Sequence, residues 1–402
     1  MTQKEAHFDT RLAHYGEDPS LYHGAVVPPI FQNSLFTFES AEAIDEAFSN
    51  MTESCIYTRG NNPTVQIVEQ KIAALEGGEK AKLFASGMAA ITAGILSAVT
   101  TGDHIICVKS AYGPTNNFIK KYLSVKFGIT STFVDGTSLK DFEDAIEPRT
   151  ALIYLESPSS GIFAMQDLNG VASLAKSKHI TTMIDNTWAT PLYQNPIAHG
   201  IDIVAHSASK YLSGHSDVVA GVLISTTERI NNIFLNEFLY FGGKIAPFEA
   251  WLILRGLRTF SIRMERHSKN AKRIIEHLEN HPKVLSVLYP GHSSYPQRDL
   301  ADKYLKGFSG LLSITLTTDA HGVKSFLNAL QIFQIGVSWG GFESLAYAPI
   351  ISLEKELDAE QLQASGIHPG LVRLSIGLEH SDDLIADLEQ AFRVLDSLDT
   401  VL

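Results

Sequence analysis

Cysteine is scarce in this chain, with only Cys55 and Cys107 among 402 residues. That excludes a disulfide framework, and the pair lacks the spacing of a metal site, so no metal is expected. Long apolar runs are missing as well. The longest candidate, "AAITAGILSAV", is rich in small residues and falls short of the roughly 20 residues a membrane span requires, so it reads as a buried helix. The opening "MTQKEAHFDTRLAHYG" has no apolar signal core. Positive charge is also in deficit: 32 Lys and Arg against 44 Asp and Glu leave a net charge of −12, which argues against a nucleic-acid partner. There is no internal repeat and no low-complexity segment. Together these absences lead us to expect a cytoplasmic protein with neither a membrane nor a nucleic-acid partner.

What is present is ordinary globular composition, 45% apolar and 19% charged, in a chain long enough for two domains with sizeable cores. From about Lys80 to Ser225 short β-rich runs alternate with helical stretches. "HIICV", "STFVD", "ALIYLES", "TTMIDNT", "IDIVAHS" and "AGVLIS" read as buried strands, and "LNGVASLAKSKH" as an amphipathic helix between two of them. Such alternation predicts an α/β domain on a mostly parallel sheet, whose ligands bind beyond the carboxyl ends of the strands. Glu156, Asp185 and Ser207 follow such runs directly.

After about Gly243 the texture changes. A long helical stretch runs to Pro282, followed by "VLSVLYPG", "KGFSGLLSITL" and the amphipathic "DDLIADLEQAFRVLDSL". This predicts a smaller C-terminal α+β domain. Residues 1–60 show little periodicity and read as an arm without a core of its own. The expected division is an arm over 1–59, an α/β domain over 60–247 and a C-terminal domain over 248–402.

The chemistry centres on "AHSASKYLSGHSD", where Lys210 follows an apolar run among small hydroxyl residues. An ammonium is costly to desolvate unless paired or neutralised, so a surface lysine is the plain alternative. Ser86-Gly87-Met88 open a predicted helix, whose free N–H groups suit an anion, although simple capping by Ser86 explains them equally. Ser207 and Ser209 add possible donors beside Lys210. Asp185 stands at the end of the preceding strand. A lysine able to form an imine and a carboxylate able to hold a pyridine nitrogen protonated are what pyridoxal phosphate requires. Tyr112 in "SAYGPT" is placed to stack on such a ring, with a simple turn as the alternative.

These blocks resemble the fold-type I pyridoxal-phosphate enzymes of cysteine and methionine metabolism, the cystathionine lyase and synthase group. "YTRGNNPT", "LEGGEKAKLFASGMAA", "AYGPTNNF", "LESPSS", "IDNTWATP", "SASKYLSGHSD", "RGLRT", "SWGGFESL" and "VRLSIGLE" carry the resemblance along essentially the whole chain. It implies an aspartate-aminotransferase-like fold in which 60–247 binds the cofactor. Lys210 is the Schiff-base lysine and, with Tyr112, the catalytic group. Asp185 is the pyridinium partner and Tyr112 the stacking ring. Gly87, Met88, Ser207 and Ser209 bind the phosphate. The resemblance further implies that Tyr57 and Arg59, on the arm, reach the site of a neighbouring subunit, Tyr57 touching substrate as well, in a homotetramer with shared active sites. Arg373 would grip the substrate α-carboxylate, with Ser338 and Trp339 nearby; pairing of Arg373 with a carboxylate such as Glu379 is the plain alternative.

Within the group, "SWGG" with Trp339, together with "YLSGHSD" and "GLEHSDDLIADLEQAF", is most similar to bacterial cystathionine β-lyases. Pro114 stands where methionine γ-lyases carry cysteine, and Val337 where many γ-synthases carry glutamate. Two departures stand against the β-lyase pattern: Val337 is not the aromatic residue of the enterobacterial enzymes, and Asn117 lies near their aspartate. The expectation is a carbon–sulfur lyase of sulfur amino-acid substrates, cystathionine β-lyase first. The alternatives are methionine or cystathionine γ-lyase, cystathionine γ-synthase and acylhomoserine sulfhydrylase.

Overall fold

The computed structural model describes residues 6–352 and 367–399. They divide into two compact units. The first comprises the residues up to Ser159 together with Ala164–Ser261, and the second Ser160–Phe163 and the residues from Ile262 onward.

The first unit is built on seven strands: β1 (Lys80–Phe84), β2 (His104–Val108), β3 (Thr130–Val134), β4 (Thr150–Glu156), β5 (Thr181–Asp185), β6 (Ile203–Ser207) and β7 (Gly221–Ser225). Their order across the sheet is β1-β7-β6-β5-β4-β2-β3. Strands β2 to β6 are mutually parallel, whereas β7 runs antiparallel to both of its neighbours. β2 and β7 are buried along their whole length, as expected of near-continuous Val and Ile runs covered on both faces. Because the five parallel strands point the same way, Glu156, Asp185 and Ser207 emerge together at the carboxyl edge.

Strand β1 carries Lys80 and Lys82, so its sequence lacks an apolar signature. Lys82 is nevertheless buried. Its ammonium donates to Asn61 Oδ1 at 2.8 Å, lies 3.2 Å from Glu69, and sits 4.9 and 4.7 Å from the ring centres of Phe234 and Phe238. Burial still lowers the pKa of Lys82, opposed by Glu69.

Four helices frame the amino-terminal half: α1 (Phe8–His14), α2 (Ala41–Ser49), α3 (Pro63–Glu76) and α4 (Gly87–Leu96). α1 buries Leu12. It is tied to α3 by Arg11 Nη1 donating to the Ala74 carbonyl at 2.7 Å and by Lys71 Nζ donating to the Leu12 carbonyl at 2.8 Å. The long helical run expected after Gly243 is two helices, Pro247–Leu257 and Phe260–Leu278. At the break Arg258 is drawn 2.7 Å from the buried Glu17, and a Cβ on Gly256 would lie 2.3 Å from the Ser213 carbonyl oxygen.

The second unit holds five further strands: β8 (Val284–Leu288), β9 (Leu311–Leu316), β10 (Gln334–Ile335), β11 (Leu345–Tyr347) and β12 (Leu371–Ser375). Their order is β10-β11-β12-β9-β8, antiparallel except for the β10–β11 pair. The fully buried β9 lies between β12, the middle strand, and β8 at the edge. Among the described residues no helix is long and apolar enough to cross a membrane.

Candidate active site

The carboxyl edge of the first sheet gathers most of the residues singled out from sequence. Asp185 ends β5 and is 8% exposed. Its Oδ1 accepts from the Thr187 amide at 2.9 Å and from the Thr187 hydroxyl, leaving Oδ2 out of these bonds. Burial raises the Asp185 pKa, opposed by the Thr187 hydrogen bonds and by the charges of His206 and Lys210. A carboxylate held this way favours a cationic ligand. Thr187 Oγ1 also accepts from the Ser207 amide at 2.8 Å, stitching the end of β5 to that of β6.

Lys210 lies in the turn after β6, half-buried, with its amide donating to the Ser207 carbonyl at 3.2 Å and its own carbonyl accepting from Gly214 N at 2.8 Å. The backbone is thus wound tightly under the lysine, and its ammonium is electrostatically coupled to Asp185.

Helix α4 starts at the same edge. Ser86 caps it through Ala89 N at 3.0 Å, and the next two amides, of Gly87 and Met88, are helix-start donors without helix-internal acceptors. Gly87 packs against Ser207: a Cβ there would stand 3.1 Å from the Ser207 hydroxyl. Ser209 is bound to Ala220, accepting from its amide at 2.9 Å and donating to its carbonyl at 3.2 Å, so it pins the Lys210 turn to the approach of β7. Thr115 donates to the Met88 sulfur at 3.8 Å, linking α4 to the short helix α5 (Gly113–Asn117) that follows Tyr112. The Tyr112 amide donates to Glu156 Oε2 at 2.6 Å, while its ring is 48% exposed.

The groups at this edge suit pyridoxal phosphate. Asp185 Oδ2 lies outside the Thr187 bonds and suits a ring nitrogen, and the amine of a lysine such as Lys210 suits an aldehyde. The Gly87 and Met88 amides suit a phosphate in a cradle that a side chain on Gly87 would fill, and Tyr112 offers an open ring face. Sequence reading left Thr187 without a role and Glu156 without a task. The signal for Thr187 was its position two residues after Asp185, where a hydroxyl side chain can close a turn on a carboxylate. The Glu156–Tyr112 bond joins residues 44 apart and had no local signal.

Among the described residues no hydrogen bond joins Tyr57 or Arg59 to Lys210 or Asp185. Between them Thr58 is buried, its amide donating to the Ser34 carbonyl at 2.9 Å and its hydroxyl to the Asn33 carbonyl at 2.6 Å. The alternation turns both flanking side chains outward, and both are exposed.

In the second unit Arg373 projects from β12. Its Nη2 donates to the Val337 carbonyl at 2.7 Å and its Nη1 to the Ser160 carbonyl at 3.2 Å, with the guanidinium 5.3 Å from the Tyr347 ring centre. Glu379, the carboxylate considered as its partner, accepts instead from the Ser344 amide at 2.7 Å and the Ser344 hydroxyl at 2.9 Å. Ser338 is exposed on the adjoining loop, whereas the Trp339 side chain is buried.

The family model for Cys/Met metabolism PLP-dependent enzymes matches residues 9–393. The L-methionine gamma-lyase of Fusobacterium nucleatum subsp. nucleatum is 40% identical over 392 residues, covering 97% of this chain and 99% of that protein. The cystathionine beta-lyase of Coxiella burnetii is 38% identical over 392 residues, covering 96% and 98%. Among solved structures, metB from Corynebacterium glutamicum superposes with a TM-score of 0.91 at 33% identity, covering 98% of this chain and all of that one.

Proposed function

The chain belongs to the pyridoxal-phosphate-dependent enzymes of cysteine and methionine metabolism, and within that family we propose that it is a carbon–sulfur lyase of the cystathionine β-lyase type. The observation that favours β- over γ-chemistry is Pro114, beside Tyr112, where methionine γ-lyases carry cysteine. Proline has no proton to give or take. The thiols that do exist are held protonated: burial pushes Cys55 up to about 11 and Cys107 well above its ordinary value.

In this reading Lys210 would hold the cofactor, Asp185 would serve its ring nitrogen, Gly87, Met88, Ser207 and Ser209 its phosphate, and Tyr112 its ring. Bound there, the cofactor supplies an electron sink for the pair left when Cα loses its proton. Arg373 would hold the substrate α-carboxylate in a two-donor fork. Lys210 would then be the base that takes the Cα proton. The Cβ–S bond then breaks with its electron pair leaving on sulfur, which is protonated as homocysteine. One water completes the balance, giving pyruvate and ammonia. Ser338 and Trp339 shape the loop whose Val337 carbonyl holds Arg373, and so bear on the outer half of the substrate. Tyr57 and Arg59 complete the site from a neighbouring subunit, within a homotetramer in the cytoplasm. The domain division of this reading is an arm over 1–59, a cofactor-binding domain over 60–247 and a C-terminal domain over 248–402.

Cystathionine separates the alternatives, because β-elimination yields pyruvate and γ-elimination yields 2-oxobutyrate. Assaying both oxoacids in one reaction should return mainly pyruvate; predominant 2-oxobutyrate overturns the β-lyase reading. The second reading, methionine γ-lyase, is favoured by relatives of that name at up to 40% identity. Methanethiol released from methionine faster than pyruvate from cystathionine would establish it.

A further inference from the structure

Where β5 and β6 end lies a buried histidine–glutamate contact that the chemistry above does not use. His206 Nε2 is 2.6 Å from Glu76 Oε2, and neither side chain is more than 1% exposed. Burying two ionisable groups is costly unless their remaining hydrogen bonds are satisfied, so such a pair is weak evidence of a purely stabilising role. The other imidazole nitrogen, Nδ1, is buried without a hydrogen-bond partner among the described residues. Glu76 also accepts from Asn186 Nδ2 at 3.2 Å, and Asn186 is the residue directly after Asp185. The backbone repeats the link: Asp185 is registered against Ala205, directly before His206, and Asn186 N donates to the Ala205 carbonyl at 2.9 Å. Gln194 closes the network, its Nε2 donating to Asn186 Oδ1 at 2.9 Å and to the Ser157 carbonyl at 2.6 Å.

The ends of β5 and β6 are therefore clasped twice. Thr187 and Ser207 form one clasp, and Asn186, Glu76 and His206 the other. Asp185 lies between them. The titratable groups acting on it are His206 and Lys210 from the β6 end and Tyr154 from β4, while Glu76 acts through His206.

We propose that His206, held by Glu76, is a positioning residue for Asp185: through the Glu76–Asn186 bond and the β5–β6 register it keeps the carboxylate directed at the ring nitrogen of the cofactor. Glu76, His206 and Asn186 then hold the ends of β5 and β6 together on the side opposite the Thr187–Ser207 clasp. Without the imidazole the ends of β5 and β6 lose one of their two clasps, and Asp185 is held less firmly toward the ring nitrogen.

This rests on Asp185 and Lys210 holding the cofactor, and the test separates the two claims. Apoprotein is titrated with pyridoxal phosphate and with its 1-deaza analogue, in which carbon replaces the ring nitrogen. His206→Gln keeps a donor for Glu76 but removes the imidazole; Glu76→Gln keeps the shape and removes the charge, and serves if the first variant fails to fold. Each should weaken pyridoxal phosphate on the order of tenfold, as when a charged hydrogen bond is impaired, and leave the deaza analogue within about twofold. Equal weakening of both ligands, or of neither, overturns the proposal. If Asp185→Asn does not itself discriminate between the two ligands, the placement of Asp185 fails instead.

Discussion

Asp185 and Lys210 are each poor choices in isolation, a carboxylate 8% exposed and a half-buried lysine in a turn of small residues. Each would cost several kcal/mol to charge alone in a dry site. Their proximity changes the balance, and a ligand that bonds covalently to one and accepts charge stabilisation from the other removes most of the remaining cost. Lys210 stood out in the sequence as a lysine among small hydroxyl residues just after an apolar run, with a surface lysine as the plain alternative, and Asp185 because it ends an apolar run. Thr187 and the Glu76–His206 pair were not visible, since their partners come from other strands and helices. The residue-scale prediction follows from the covalent bond: borohydride reduction of the holoenzyme should fix the pyridoxyl group on the peptide containing Lys210. A label on any other lysine would sink the assignment.

At the scale of elements, the sheet was legible wherever burial on both faces produced an apolar run, as in "HIICV" and "AGVLIS". It was illegible at β1, where Lys80 and Lys82 hide a strand whose lysine is buried among Asn61, Glu69 and two aromatic rings. The site itself depends on how closely α4 approaches β7. Gly221 opens β7 against the Ser86–Gly87 step, and a Cβ on it would lie 2.2 Å from the Ser86 carbonyl oxygen and 2.8 Å from Gly87 Cα. Backbone cannot swing aside as a long side chain can. Gly221→Ala should therefore cost about 1–3 kcal/mol in chemical denaturation and weaken cofactor binding by displacing the α4 start. Gly113→Ala, where no atom lies within 4 Å of the added carbon, is the control and should change stability little. Equal behaviour of the two variants would show that the close approach does not matter.

For the whole molecule, the exposed side chains carry the information. Val26 is 84% exposed, Tyr240 81%, Leu21 73% and Phe241 65%, all in the first unit. Large apolar groups left in water in such number favour burial against another copy of the chain. Tyr57 and Arg59 fit the same picture. The buried Thr58 fixes the backbone between them, and both side chains point outward on a stretch that bonds neither Lys210 nor Asp185. Arginine, with a planar fork of donors, suits an oxyanion at a neighbouring site. If each active site takes Arg59 from one subunit and Lys210 from the other, two different inactive variants can repair each other. Arg59→Ala and Lys210→Ala homo-oligomers should each have little or no activity. In a mixed dimer one site combines both defects, while the other combines wild-type Arg59 with wild-type Lys210. Denaturing and refolding the two proteins together at equal concentrations should form about half hybrid dimers, if pairing is random, and recover roughly a quarter of wild-type activity, since half of the sites in each hybrid are intact. Recovery should scale with the hybrid fraction measured by native mass spectrometry. Hybrids that form and stay inactive would place Arg59 in the same subunit as the Lys210 it serves.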